Sequence, residues 1–90
     1  MIMIKDDVFY TIGETVEILD VPAHTLRYWE KEFKDFVKPR RNGQKNRIYS
    51  TEDINVLKLV KRLLEVELYT VAGARRQLYI RSSDAEELTG

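Results

Sequence analysis

Asp20-Val21-Pro22 separates two helical patterns that would otherwise run together, and no other feature restricts the fold of this chain as much. Proline disfavours helical backbone in the residue before it, so a first helix has to stop here. Upstream, Thr11 and Glu14 have the spacing of a capping box, and Ile12, Val16 and Leu19 recur at i, i+4 and i+7, which predicts helix 1 over 12–19. Downstream, a second helical pattern begins near Pro22 or Ala23. Two short helices joined this tightly predict a helix-turn-helix.

The second helix has two unlike faces. At about 100° per residue, Leu26, Trp29 and Phe33 fall on one arc and can pack on helix 1. His24, Arg27, Tyr28 and Lys31 fall on the opposite arc as a polar, aromatic and basic comb, with Thr25 at its border. A stretch without acid follows, Lys38-Pro39-Arg40-Arg41-Asn42-Gly43-Gln44-Lys45-Asn46-Arg47. Pro39 would break a helix interior and Asn42-Gly43 suits a turn, so two short strands with a basic tip are expected between Phe36 and Tyr49.

Charge is distributed by segment. The chain sums to zero, with 15 Lys plus Arg against 15 Asp plus Glu. Residues 1–22 nevertheless carry one Lys against five acids, and residues 23–49 carry eight bases against three acids. A basic middle beside an acidic start implies one electropositive face. Duplex DNA, with one negative charge per ~1.7 Å, rewards such a face.

Ser50 is expected to cap a third helix over 51–67, with Glu52 and Asp53 in its first turn. Ile54, Leu57, Val60 and Leu64 form one apolar stripe of this helix, and Val56, Leu59, Leu63 and Val66 a second beside it. Thr70 is expected to cap a last helix ending at Leu78 or Ile80, with Val71, Ala74 and Leu78 inward and a close helix contact at Gly73. The fold class expected is therefore mainly α, about four helices with a small β-hairpin wing, as one domain over 1–80 followed by a frayed tail over 81–90.

Composition argues against other chemistries. The chain has no Cys and a single His, His24, so a zinc site is not expected. It has no Gly-rich phosphate loop and no nucleophile paired with a base, which argues against an enzyme and against a cofactor. The start lacks the apolar run of a signal peptide, and no stretch reaches the ~20 apolar residues of a membrane span, so a cytoplasmic protein is expected.

The succession Tyr10-Thr11-Ile12-Gly13-Glu14, Leu26-Arg27-Tyr28-Trp29-Glu30, Lys38-Pro39-Arg40, Arg47-Ile48-Tyr49-Ser50 and Glu52-Asp53-Ile54 closely resembles the MerR family of bacterial transcription regulators, over about residues 9–78. Trp29 in place of a second tyrosine looks like the subgroup with an Arg-Tyr-Trp-Glu recognition helix. The resemblance implies a winged helix-turn-helix that binds double-stranded DNA, with helix 2 in the major groove, the wing on the flanking backbone, and two copies on a pseudo-palindromic operator or promoter. It makes Arg27 and Tyr28 helix-borne contacts and Arg40, Arg47 and Tyr49 wing contacts. With the neighbouring residues of the basic surface, the expected DNA-binding set is His24, Thr25, Arg27, Tyr28, Lys31, Lys38, Arg40, Arg41, Asn42, Lys45, Arg47 and Tyr49. Two departures stand out. Pro22 replaces the family's usual Ser cap, and residues 79–90 are too short and polar for the family's dimerisation helix and effector domain. An isolated DNA-binding fragment is therefore expected, or a stand-alone member that dimerises differently or stays monomeric, in either case largely monomeric alone with a homodimer possible on DNA.

Two other functions fit the same residues. An excisionase-like architectural protein would use a winged helix to bend DNA. A protein-interaction module would dock a partner helix on the second stripe of helix 3 and leave the basic face solvated.

Overall fold

Thr11 and Ser50 each turn a strand into a helix by the same device. The Thr11 amide donates to Glu14 Oε1 (2.9 Å) and the Glu14 amide to Thr11 Oγ1 (3.1 Å). At Ser50 the amide donates to Asp53 Oδ2 (3.1 Å) and the Asp53 amide to Ser50 Oγ (3.0 Å). These reciprocal caps satisfy amides that a helix start leaves orphaned.

The computed structural model describes residues 8–41 and 47–89, with side chains as far as residue 82. Its elements are β1 (Phe9–Thr11), α1 (Ile12–Leu19), α2 (Ala23–Glu32), β2 (Arg40–Arg41), β3 (Arg47–Ser50), α3 (Thr51–Lys61) and α4 (Val71–Thr89), with a π-helical turn at Arg62–Val66. The sheet is antiparallel in the order β1-β3-β2, so β3 is central. β1 pairs Phe9 with Ser50, Tyr10 with Tyr49 and Thr11 with Ile48. The expected two-stranded wing is therefore a three-stranded sheet.

The break at Asp20-Val21-Pro22 is made by Asp20, at φ 58° and ψ 49°. Aspartate tolerates this left-handed conformation better than most residues. Its amide closes α1 on the Val16 carbonyl (2.8 Å), and Val21 drops into the core. Pro22 then precedes α2 with extended backbone and no side-chain cap.

One core holds the elements together: Leu19, Val21, Leu26, Trp29, Phe33, Val37, Tyr49, Ile54, Leu57, Val60, Leu63, Ala74 and Leu78. The inner arc of α2 is buried as its spacing predicts. On α1, Leu19 is buried while Ile12 and Val16 pack at the margin. Thr15 is fully buried too, its hydroxyl donating to the Thr11 carbonyl (2.8 Å), a role that its polar side chain conceals in a hydropathy pattern.

The third and fourth helices differ from expectation. The helix over 51–67 becomes α3 plus the π turn, and the wider turn divides the second stripe. Leu63 enters the core, Val56 and Leu59 lie partly buried against it, and Val66 is 70% exposed. Thr70 caps α4 as expected, accepting from the Gly73 amide (3.0 Å). A Cβ on Gly73 would meet Tyr69 Cδ1 at 3.2 Å and Thr70 Oγ1 at 3.3 Å, so the close neighbour is the preceding turn, not another helix. The backbone stays helical to Thr89, beyond the expected stop at Leu78 or Ile80. Residues 81–89 contain neither Gly nor Pro to end it.

Trp29→Ala should cost ~3 to 5 kcal/mol by leaving a large cavity in this thin core. Urea unfolding measures it. A variant as stable as the parent would show that the inner face of α2 does not hold the fold.

Candidate nucleic-acid interface

The outer arc of α2 is where its spacing places it. His24, Arg27 and Lys31 are exposed, Tyr28 is 49% exposed and Thr25 is half-buried. Lys38, Arg40 and Arg41 are exposed just before and on β2. The Arg40 guanidinium lies 5.5 Å from the Phe9 ring centroid, so β1 supplies an aromatic platform for a wing cation. Asn42 and Lys45, with the expected hairpin turn, lie outside the described residues.

Tyr49 is placed differently from expectation. It is 0% exposed, and its hydroxyl donates to Glu30 Oε2. A tyrosine on the edge of a two-stranded hairpin could face a ligand, but on the central strand of a three-stranded sheet it is covered by the core. Arg47 is half-buried and pairs through Nε with Glu30 Oε1 at 3.1 Å.

Glu30 thus joins α2 to β3 at two points, a role that its own place in the sequence does not suggest. The residues that could have revealed it, Arg47 and Tyr49, are two apart on a strand and so share a face. Burial is the main influence on its carboxyl and raises the pKa above the ordinary 4.5, with Asp53 adding to the rise. The guanidinium groups of Arg47, Arg27 and Arg41 pull the other way without overcoming it. The carboxylate therefore gathers one cation from α2, one from β2 and one from β3.

Two more anchors set the wing and α2. Asp53 Oδ1 accepts from the Lys38 amide (3.1 Å), which holds the chain entering the wing against the start of α3. Arg75 of α4 donates to the Glu32 carbonyl through Nε (3.1 Å) and Nη2 (3.0 Å), and to Glu32 Oε1 (3.1 Å), closing the C-terminal end of α2. Among the described residues no group of three potential ligands could hold a metal ion, and no helix is long and apolar enough to cross a membrane.

Residues 10–79 match the MerR HTH family regulatory proteins. The chain belongs to the MerR family. Among its relatives, the regulator protein TubY of Clostridium botulinum C phage is 35% identical over 68 residues, covering 76% of this chain and 28% of that protein. The HTH-type transcriptional regulator MlrA of Escherichia coli is 32% identical over 56 residues, covering 62% of this chain and 23% of the relative. This MerR-family chain therefore spans about a quarter of the length of these curated relatives. They are regulators, not enzymes. The structure of HiNmlR, a MerR family regulator lacking the sensor domain and bound to promoter DNA, superposes with a TM-score of 0.64 at 25% identity, covering 77% of this chain and 53% of that one. A MerR family regulator from Bacillus cereus shares the fold, with a TM-score of 0.65 at 17% identity over 91% of this chain and 66% of that one. The winged helix-turn-helix expected from the sequence is the fold observed.

The raised pKa of Glu30 has a consequence for this domain's stability. A carboxyl that holds its proton more tightly when folded contributes stability that is fully present below pH 4.5 and is lost as pH rises through the folded value. The stability of the parent relative to Glu30→Gln should therefore decline as pH rises from 4.5 through that interval. Urea unfolding across the range measures it, and a difference that grows with pH would reverse the assigned direction.

Proposed function

We propose that this chain is a sequence-specific DNA-binding domain acting in transcriptional regulation, with the outer arc of α2 in the major groove and the wing on the phosphate backbone. The observation that carries the reading is the ion pair between Glu30 and Arg47, which joins wing strand β3 to α2, the two elements whose cations this reading assigns to one duplex. HiNmlR, similar over 77% of this chain, is itself bound to promoter DNA. Arg27, His24, Thr25 and Tyr28 read or register the groove. Lys31, Lys38, Arg40 and Arg41 grip phosphate, joined by Asn42 and Lys45 of the wing tip. A single module buries only ~600 to 1,000 Å² on DNA, so firm occupancy takes two copies on a pseudo-palindrome.

The wing is tested by salt. Replacing Arg40 and Arg41 with Ala should weaken binding to all duplexes alike and reduce the log-log salt slope by about one unit for each phosphate no longer gripped. An unchanged slope would remove the wing from the interface.

Selectivity is tested on α2. Arg27 projects from the first turns of the helix, where groove-reading residues lie, and a bidentate arginine contact to guanine is worth ~1 to 3 kcal/mol of discrimination. Selection from randomised duplexes with Arg27→Ala should lose a guanine from the consensus of the parent. Recovery of the same consensus at uniformly lower affinity would make Arg27 a phosphate contact and move the code to His24, Thr25 or the wing.

A further inference from the structure

We propose that Glu30 is a positioning residue that locks the wing to the recognition helix, so that a carboxylate on this cationic surface strengthens binding to a polyanion. The inference rests on the DNA-binding reading above. By charge alone Glu30 is misplaced, because phosphate repels it and it offsets a neighbouring cation. Its geometry supplies the reason for it to be there. The side chain is only 11% exposed and uses its two oxygens separately, Oε1 for Arg47 and Oε2 for the Tyr49 hydroxyl.

These partners stand at alternate positions on one face of β3, so holding both fixes the strand's position and also its rotation about its own axis. β3 carries β2 with it through the pairings of Arg40 with Ile48 and Arg41 with Arg47. Glu30 itself lies one helical turn after Arg27 on the same helix. The distance from the groove-facing Arg27 to the wing cations is thus set in part through this side chain, beside the Asp53 anchor on the Lys38 amide. The charged and titratable groups acting on it are Arg27 from α2, Arg41 from β2, Arg47 and Tyr49 from β3, and Asp53 from α3.

The two roles make opposite predictions. Glu30→Gln keeps an oxygen acceptor for Tyr49 but ends the ion pair with Arg47. If Glu30 acted only as a charge, the variant would bind DNA more tightly, with a salt slope steeper by about 0.9 as Arg47 finds a phosphate. As a positioning residue, its replacement should weaken binding and make the slope shallower by about 0.9 for each phosphate that the wing ceases to reach, although no cation has been removed.

Two further variants separate position from charge and from folding. Glu30→Asp keeps the charge but withdraws the carboxylate by one methylene, and should behave like Glu30→Gln. Tyr49→Phe removes one of the two hydrogen-bonded joints, leaves every charge and the ring packing in place, and should give a smaller decrease in slope. Titrations of the whole chain against duplex DNA over a range of salt, with folding checked by circular dichroism at the same temperature, provide the measurement. Tighter binding by Glu30→Gln, or parental slopes for Glu30→Asp and Tyr49→Phe, would overturn this inference alone. A parent without salt-dependent DNA binding would overturn the reading beneath it.

Discussion

The burial of Leu26, Trp29 and Phe33 is the constraint on which the rest of the structure depends. A ten-residue helix is too short to persist in water by itself, so α2 exists because its inner arc is sealed into the core. Sealing that arc determines which side chains remain outside, and those are the ones suited to a groove. If α2 reads DNA as proposed, stability and recognition are opposite faces of a single helix. A substitution on the inner face would then disturb recognition without touching DNA, because the outer arc turns with the helix.

Several local sequence cues agree with the structure. The capping box at Thr11 and Glu14 marks the start of α1, Pro22 separates the two helices, and a spacing of 3.6 residues sorts α2 into its faces. What escaped reading depends on partners distant in sequence. β1 has three residues, too few to display a period, and it becomes a strand only by pairing with β3 nearly forty residues later. Once β1 is in place, β3 is a central strand and Tyr49 is buried, so the missed strand and the misplaced tyrosine have one cause. The π turn is similar: the exposure of Val66 depends on a local widening of the helix that the apolar pattern does not encode.

The surface built around α2 mixes signs, and the arrangement is orderly. Glu30, Glu32 and Asp53 each hold a neighbouring element: Glu30 holds β3, Glu32 receives Arg75 of α4, and Asp53 receives the Lys38 amide. Arg47 and Arg75 are drawn into these joints, while Arg27, Lys31, Lys38 and Arg40 remain exposed. Residue type alone does not separate these groups. An arginine beside a half-buried carboxylate serves the fold first.

The grip of α4 on the end of α2 has a mechanical side. Arg75 reaches Glu32, the Tyr79 hydroxyl donates to Asp35, and the Tyr79 ring meets Phe36 edge-on at 4.8 Å, so α4 is held over roughly its first two turns after the cap. From Tyr79 to Thr89 it continues for about 15 Å, against about 6 Å between the two gripping residues. A rod clamped near one end is a lever with an advantage of roughly two to three, by the same helical rise. By that ratio a sideways displacement of a few ångströms at Thr89 would correspond to about one ångström at Glu32. The contacts of Arg75 with Glu32 and of Tyr79 with Asp35 and Phe36 thus tie the direction of the whole of α4 to the last turn of α2 and the segment that follows it.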